Sequence, residues 1–189
     1  MSSAASVGGN GSLRLFCALT LPAETLDRLE AWQSELRPGR YRLVPRENLH
    51  VTLAFLGARP AVEVDAIGAA LAASAAAARR IVLQALRYRE TRSVGMVAFG
   101  DRDDAAGDLA RDLHGRLQRL AIYEPERRAW LPHVTVVRFG ERPRLSPDLP
   151  GLGTVTPSGA AVYMSRLRPT GAEYVVVQEY DFETSELGG

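Results

Sequence analysis

The sequence contains no lysine, so all 23 of its basic residues are arginine. With 17 glycines and abundant alanine this reads as coding bias from a GC-rich genome. Arginine number alone is therefore no sign of phosphate binding, although arginine suits that task better than lysine does. Nor is there an excess of either charge: 22 acidic residues leave a formal net charge of +1. That balance argues against a chain built to wrap long nucleic acid and leaves room for a small phosphate ligand. A single cysteine, Cys17, excludes an intramolecular disulfide framework, and no Cys/His cluster has structural-zinc spacing. A reducing cytoplasm is the expected location. Charges interrupt every apolar run well short of the ~20 residues that span a bilayer, so no membrane association is expected. The opening stretch, Met1 to Gly11, lacks the basic and apolar regions of a secretory signal and reads as a loose tail.

What remains is an ordinary globular composition, 46% hydrophobic and 24% charged over 189 residues, a little more than one typical domain. Leu13 to Leu19 reads as a strand that ends at Pro22. Leu26, Leu29, Trp32 and Leu36 are spaced as the apolar stripe of a helix that stops near Pro38-Gly39. Leu43 to Leu56 is strand-like, and an alanine-rich helix opens at Pro60 and runs to about Ala78. Strands are expected at Ile81 to Tyr88 and Val94 to Phe99, followed by a helix marked by Leu109, Leu113, Leu117 and Leu120. Three more strands follow, at His133 to Phe139, Gly159 to Leu167 and Glu173 to Phe182. Strands and helices do not alternate strictly, which predicts an α+β fold with mainly antiparallel sheet.

One pattern stands above this background. His50-Val51-Thr52-Leu53-Ala54-Phe55-Leu56-Gly57 recurs 83 residues later as His133-Val134-Thr135-Val136-Val137-Arg138-Phe139-Gly140, with four of eight positions identical. A helical stripe precedes each copy, so the chain reads as two similar halves. In a strand, residues two apart share a face, so His50 and Thr52 point one way while Val51, Leu53 and Phe55 point to the core. The same parity pairs His133 with Thr135. A lone strand histidine is usually a satisfied polar residue, but packing has no reason to repeat His and Thr on the polar side of two strands. Two pseudo-symmetric lobes with helices packed outside would set both pairs in one cleft. Residues 13–183 are expected to form this single bilobal domain, between tails at 1–12 and 184–189.

With these motifs the sequence resembles the two-histidine (2H) phosphoesterases, defined by two His-x-Thr-x motifs about eighty residues apart. The likeness extends to Leu13–Leu19, to Val44-Pro45-Arg46-Glu47-Asn48-Leu49 before the first motif and to Leu131-Pro132 before the second. Among the branches it is most similar to the RNA 2′,3′-cyclic phosphodiesterases once called 2′-5′ RNA ligases. The resemblance implies metal-free hydrolysis of a ribose 2′,3′-cyclic phosphate to a 2′-phosphomonoester, with no cofactor. It also implies a slow reverse joining of RNA ends. His50 would protonate the leaving oxygen and His133 would activate water, an assignment that the residues themselves leave open. Thr52 and Thr135 would bind the phosphoryl oxygens.

Arg138 matches a basic residue common after the second motif, yet strict alternation aims it away from His133. The residues leave it between a phosphate contact and a solvated arginine. Phe16, Tyr41 and Trp130 are able to stack on a base, though core or rim packing is the simpler reading of each. His114 reads as a surface helix residue and Cys17 as a buried, inert one. A metal-dependent hydrolase fits poorly, because each motif puts threonine where a second ligand would stand. Other 2H substrates, ADP-ribose cyclic phosphate or 2′-5′ oligonucleotides, and a non-catalytic nucleotide-binding module remain the alternatives. The expected partners are RNA termini or nucleoside cyclic phosphates bound by a monomer.

Overall fold

The computed structural model describes residues 11–124, 126, 128–169 and 171–182. The tail expected at 1–12 falls outside the described residues up to position 10, and by Ser12 the chain is already in strand. The tail expected at 184–189 lies wholly outside them.

Strand β1 (Ser12–Thr20) is covered on both sides, which is why Leu15 through Leu19 are all buried rather than alternately so. Pro22 cannot extend the strand ladder, and its φ of −57° is already that of a helix, so α1 (Ala23–Ser34) begins directly after it and buries Leu29 and Trp32. The strand-like stretch from Leu43 to Leu56 is divided. β2 (Arg42–Leu43) is followed at Pro45 by a 3-10 turn over Arg46–Asn48, and β3 (Val51–Pro60) comes after it. Next come α2 (Val64–Ala76), the hairpin of β4 (Leu83–Glu90) and β5 (Val94–Asp101), and α3 (Ala105–Arg119). α3 buries Leu109, Leu113 and Leu117, while Leu120, expected on the same stripe, lies past the helix end and is half exposed. β6 (His133–Arg138), the two-residue β7 (Thr154–Val155), β8 (Gly159–Arg168) and β9 (Gly171–Asp181) complete the order.

All described pairings are antiparallel and belong to one curled sheet ordered β7-β4-β5-β6-β3-β1-β8-β9, with β2 also lying along β6. The two expected lobes are thus the two halves of one sheet. They meet where β3 pairs with β6 through a single residue pair, Val51 with Val134. Each half contains a strand-helix-strand unit, β1-α1-β3 and β5-α3-β6, whose two strands pair with each other. The helices exchange sides. α1 sends Trp32 to within 6.2 Å of the Tyr88 ring on β4, while α3 packs on β3 and on α2, which lies against β8. Among the described residues no helix is long and apolar enough to cross a membrane.

The segment after β6 is fastened by a buried carboxylate. Glu90, at the end of β4, accepts hydrogen bonds from the backbone N–H of Arg144 (3.1 Å) and Leu145 (2.7 Å) and from Arg142 Nε (3.0 Å). The chain then crosses α1, where Trp32 Nε1 donates to Asp148 O at 2.8 Å and Arg28 to Gly151 O at 2.9 Å. Replacing Glu90 with alanine strands two backbone donors. It is expected to lower stability by roughly 2–4 kcal/mol in urea unfolding and to speed proteolytic nicking between residues 141 and 151.

Candidate active site

Antiparallel pairing of Val51 with Val134 sets the residues on either side of the bridge across from one another. His50 then faces Thr135, Thr52 faces His133, and all four half-buried side chains lie on the same face of the seam. The two imidazoles are close enough to influence each other's charge. Each ring is oriented in the same way. His50 Nδ1–H donates to Asn48 O and His133 Nδ1–H to Leu131 O, both at 2.8 Å and both two residues back along the chain. That tautomer leaves Nε2 of each ring directed at the cleft. Thr52 Oγ1 lies 3.1 Å from His50 Nε2 and donates to it when the imidazole is neutral.

The strands do not alternate strictly, and the departure falls at the same place in both motifs. Ala18 pairs with Thr52 but Cys17 with Ala54, so Leu53 is an extra residue. Met96 pairs with Thr135 but Gly95 with Val137, so Val136 is its counterpart. Each bulge lets two successive apolar residues, Leu53-Ala54 and Val136-Val137, face the core, and it reverses the parity beyond them. Phe55, expected in the core, is therefore turned outward and is 61% exposed. Arg138, aimed away from His133 by simple alternation, is carried to the face that bears the histidines, where its charge acts on His50.

The family described as LigT like Phosphoesterase matches residues 19–91. A Thermus thermophilus protein named RNA 2′,3′-cyclic phosphodiesterase is 33% identical over 180 residues, covering 89% of each chain. The chain belongs to the LigT-like phosphoesterases. A crystal structure of TT0787, also from T. thermophilus, superposes with a TM-score of 0.75 at 30% identity, covering 90% of this chain and 98% of the other. E. coli LigT in its apo form gives 0.70 at 25% identity over the same shares.

In this LigT-like phosphoesterase the two histidines have unlike surroundings. The ring of His50 stacks on Phe16 at 4.9 Å, with Tyr163 at 5.8 Å and the edge-on Tyr174 at 5.4 Å. Burial in this aromatic nest pulls its pKa down to about 4, and Arg138 and His133 push the same way; the Asn48 carbonyl opposes them. No aromatic ring is seen against His133 among the described residues. Phe16, 3% exposed, is the bed of His50 rather than a platform for a base. Tyr41 donates to Arg37 O at 2.6 Å and Trp130 Nε1 to Thr52 O at 2.9 Å, so both pack rather than project. Cys17 is buried in the core as expected, which pushes its thiol up to about 12.

His114 is not a surface residue. It is half-buried against Tyr123, ring centroids 4.5 Å apart, and its Nε2–H donates to Leu53 O at 2.8 Å. Across the pseudo-twofold, Gln33 of α1, 3% exposed, donates to Val136 O at 2.6 Å and to Val44 O at 3.0 Å. Each bulge carbonyl is thus held by a polar side chain from the helix of the other half. A polar residue interrupting an apolar helical face was the available signal for both. Among the described residues no three His, Cys, Asp or Glu side chains converge as metal ligands.

His114→Ala leaves a buried carbonyl without its donor and is expected to cost about 1–3 kcal/mol in urea unfolding, with His114→Gln recovering much of it. Below pH 6.5 the unfolded chain takes up a proton that folded His50 refuses until about pH 4, so stability is lost as pH falls through that interval. The thermal midpoint should therefore drop more steeply between pH 7 and 4.5 in the wild type than in His50→Gln.

Proposed function

We infer that the chain hydrolyses ribose 2′,3′-cyclic phosphates at RNA ends to 2′-phosphomonoesters, without a metal ion. The observation that supports this most strongly is the pair of His/Thr sets across the seam, each histidine anchored through Nδ1 with Nε2 directed inward. The name of the T. thermophilus relative points to the same substrate.

In-line hydrolysis forms a bond from a water oxygen to phosphorus and breaks the bond from phosphorus to the 3′-oxygen. One histidine takes the water's proton while the other delivers a proton to the departing 3′-oxygen. Thr52 and Thr135 donate to the non-bridging oxygens, and Arg138 offsets the negative charge that grows on them. Because burial keeps His50 neutral in the empty site, its assignment as proton donor requires the anionic phosphate to raise its pKa on binding. Substrate binding then takes up a proton and tightens as pH falls from 7.5 to 6. With a 5′-hydroxyl in place of water, the same groups form a 2′-5′ linkage as the bond from phosphorus to the 3′-oxygen breaks.

The test is hydrolysis of adenosine 2′,3′-cyclic phosphate in excess EDTA, with the product isomer identified. The expected result is the 2′-monophosphate, lowered about 10²- to 10⁴-fold in kcat by His50→Ala and by His133→Ala. Thr52→Val and Thr135→Val should lose activity by about 10²-fold or more. Absence of turnover by folded wild type, or its abolition by EDTA, would overturn the reading.

A further inference from the structure

Beside the seam lies a groove of about 730 Å³, lined by β1 and β3, by β2 and the end of β6, and by the β8–β9 hairpin from Ser165 to Tyr174. Its charge is unlike that of the rest of the molecule. Arg14, Arg42, Arg138 and Arg168 line it and no acidic residue does, in a chain whose charges otherwise nearly cancel. Glu173 engages Arg168 at 2.8 Å, but among the described residues no carboxylate pairs with the other three.

Two of those arginines sit where repulsion is greatest. Arg42 and Arg138 are direct register partners across β2 and β6, and like charges opposed in this way destabilise a sheet. An anion between or beside them removes that penalty. The groove also has an apolar floor open to solvent: Phe55 is 61% exposed and Leu43 46% exposed, although both are large and hydrophobic. Phe55 lies 6.0 Å from Phe16, which is itself stacked beneath His50, so a line of rings leads from the seam into the groove. Exposed aromatic surface flanked by guanidinium groups is the combination that binds single-stranded nucleic acid, through base stacking and phosphate contacts.

We propose that this groove seats the nucleotide on the 5′ side of the reacting terminal ribose, with its base on Phe55 and the phosphodiester that joins the two nucleotides against Arg14 and Arg42. The proposal rests on the phosphodiesterase reading above and extends it. The preferred substrate is an RNA strand of at least two nucleotides rather than a mononucleotide. The parity reversal at Leu53 is what makes this possible, because alternation without the bulge would bury Phe55 and leave the groove without a stacking surface.

The test compares adenosine 2′,3′-cyclic phosphate with diadenylate ending in the same cyclic phosphate, in moderate salt. In the wild type the dinucleotide is expected to have a kcat/KM about ten- to a hundredfold higher, mostly through KM, from one stacked base and one phosphate contact. Arg14→Gln and Arg42→Gln, both at exposed positions, should each erase much of that advantage while changing mononucleotide turnover by less than about twofold. Phe55→Leu should do so as well. Equal kcat/KM for the two substrates, or equal losses on both in the variants, would overturn the groove assignment while leaving the phosphodiesterase reading intact. Binding provides an arm that needs no turnover: fluorescein-labelled diadenylate carrying a terminal 2′-phosphate, followed by anisotropy. It should bind more tightly than the labelled mononucleotide, with the difference lost in Arg42→Gln. No hydrolysis of either substrate together with this preference would sink the phosphodiesterase reading alone; no preference in anisotropy would sink the groove.

Discussion

A single antiparallel bridge between Val51 and Val134 joins the two halves of the sheet, and the arrangement of the site follows from it. Had β3 and β6 paired along their whole length, the concave surface would be continuous and the groove beside the seam would not open. Had they not paired at all, nothing would set each imidazole across from the other motif's threonine. One bridge suffices because the strands on either side are fixed by other means. Gln33 and His114 hold the bulge carbonyls, Trp130 holds that of Thr52, and β2 lies along the free end of β6.

The pseudo-symmetry of the backbone does not extend to the electrostatics. Both histidines have the same anchor and the same threonine two residues on, yet only His50 rests in a nest of Phe16, Tyr163 and Tyr174. Apolar rings withdraw hydration from the imidazolium without supplying a counter-charge, so His50 waits in its neutral form. On the proposed reading, a substrate bearing negative charge is also the switch that charges it. Arg138 opposes that charging in the empty site, and on the proposed reading a bound phosphate offsets it. Two imidazoles related by symmetry thereby become chemically distinct, as the acid and the base of the proposed hydrolysis need to be.

Much of this was legible in the sequence. The spacing of Leu109, Leu113 and Leu117 marked α3, and the recurrence of His and Thr on the polar parity of two β-rich segments marked the candidate site, whose four side chains the Val51–Val134 bridge brings together. The sequence failed at the point where parity changes. Leu53-Ala54 and Val136-Val137 each place two apolar residues in succession after the threonine, the local sign of a bulge, and the coincidence of that sign in both motifs was visible. Strict alternation instead sent Phe55 to the core and Arg138 to the far side. His114 was misplaced for a different reason: it interrupts the apolar face of Leu113 and Leu117, the sign of an inward-reaching donor, and a solvated reading ignores the carbonyl 61 residues away that it meets. The division of 43–56 into β2 and β3 was foreshadowed by Pro45, and β7 is too short to have a pattern.

The exchange of helices between the halves bears on how such a chain could be assembled. A strand-helix-strand unit standing alone would have a bulge whose carbonyl lacks its donor, and a helix whose polar side chain reaches for a partner it does not have. Two such units laid together satisfy each other reciprocally, Gln33 serving the second motif and His114 the first. The pair, rather than either half alone, is therefore the unit in which both bulge carbonyls are satisfied.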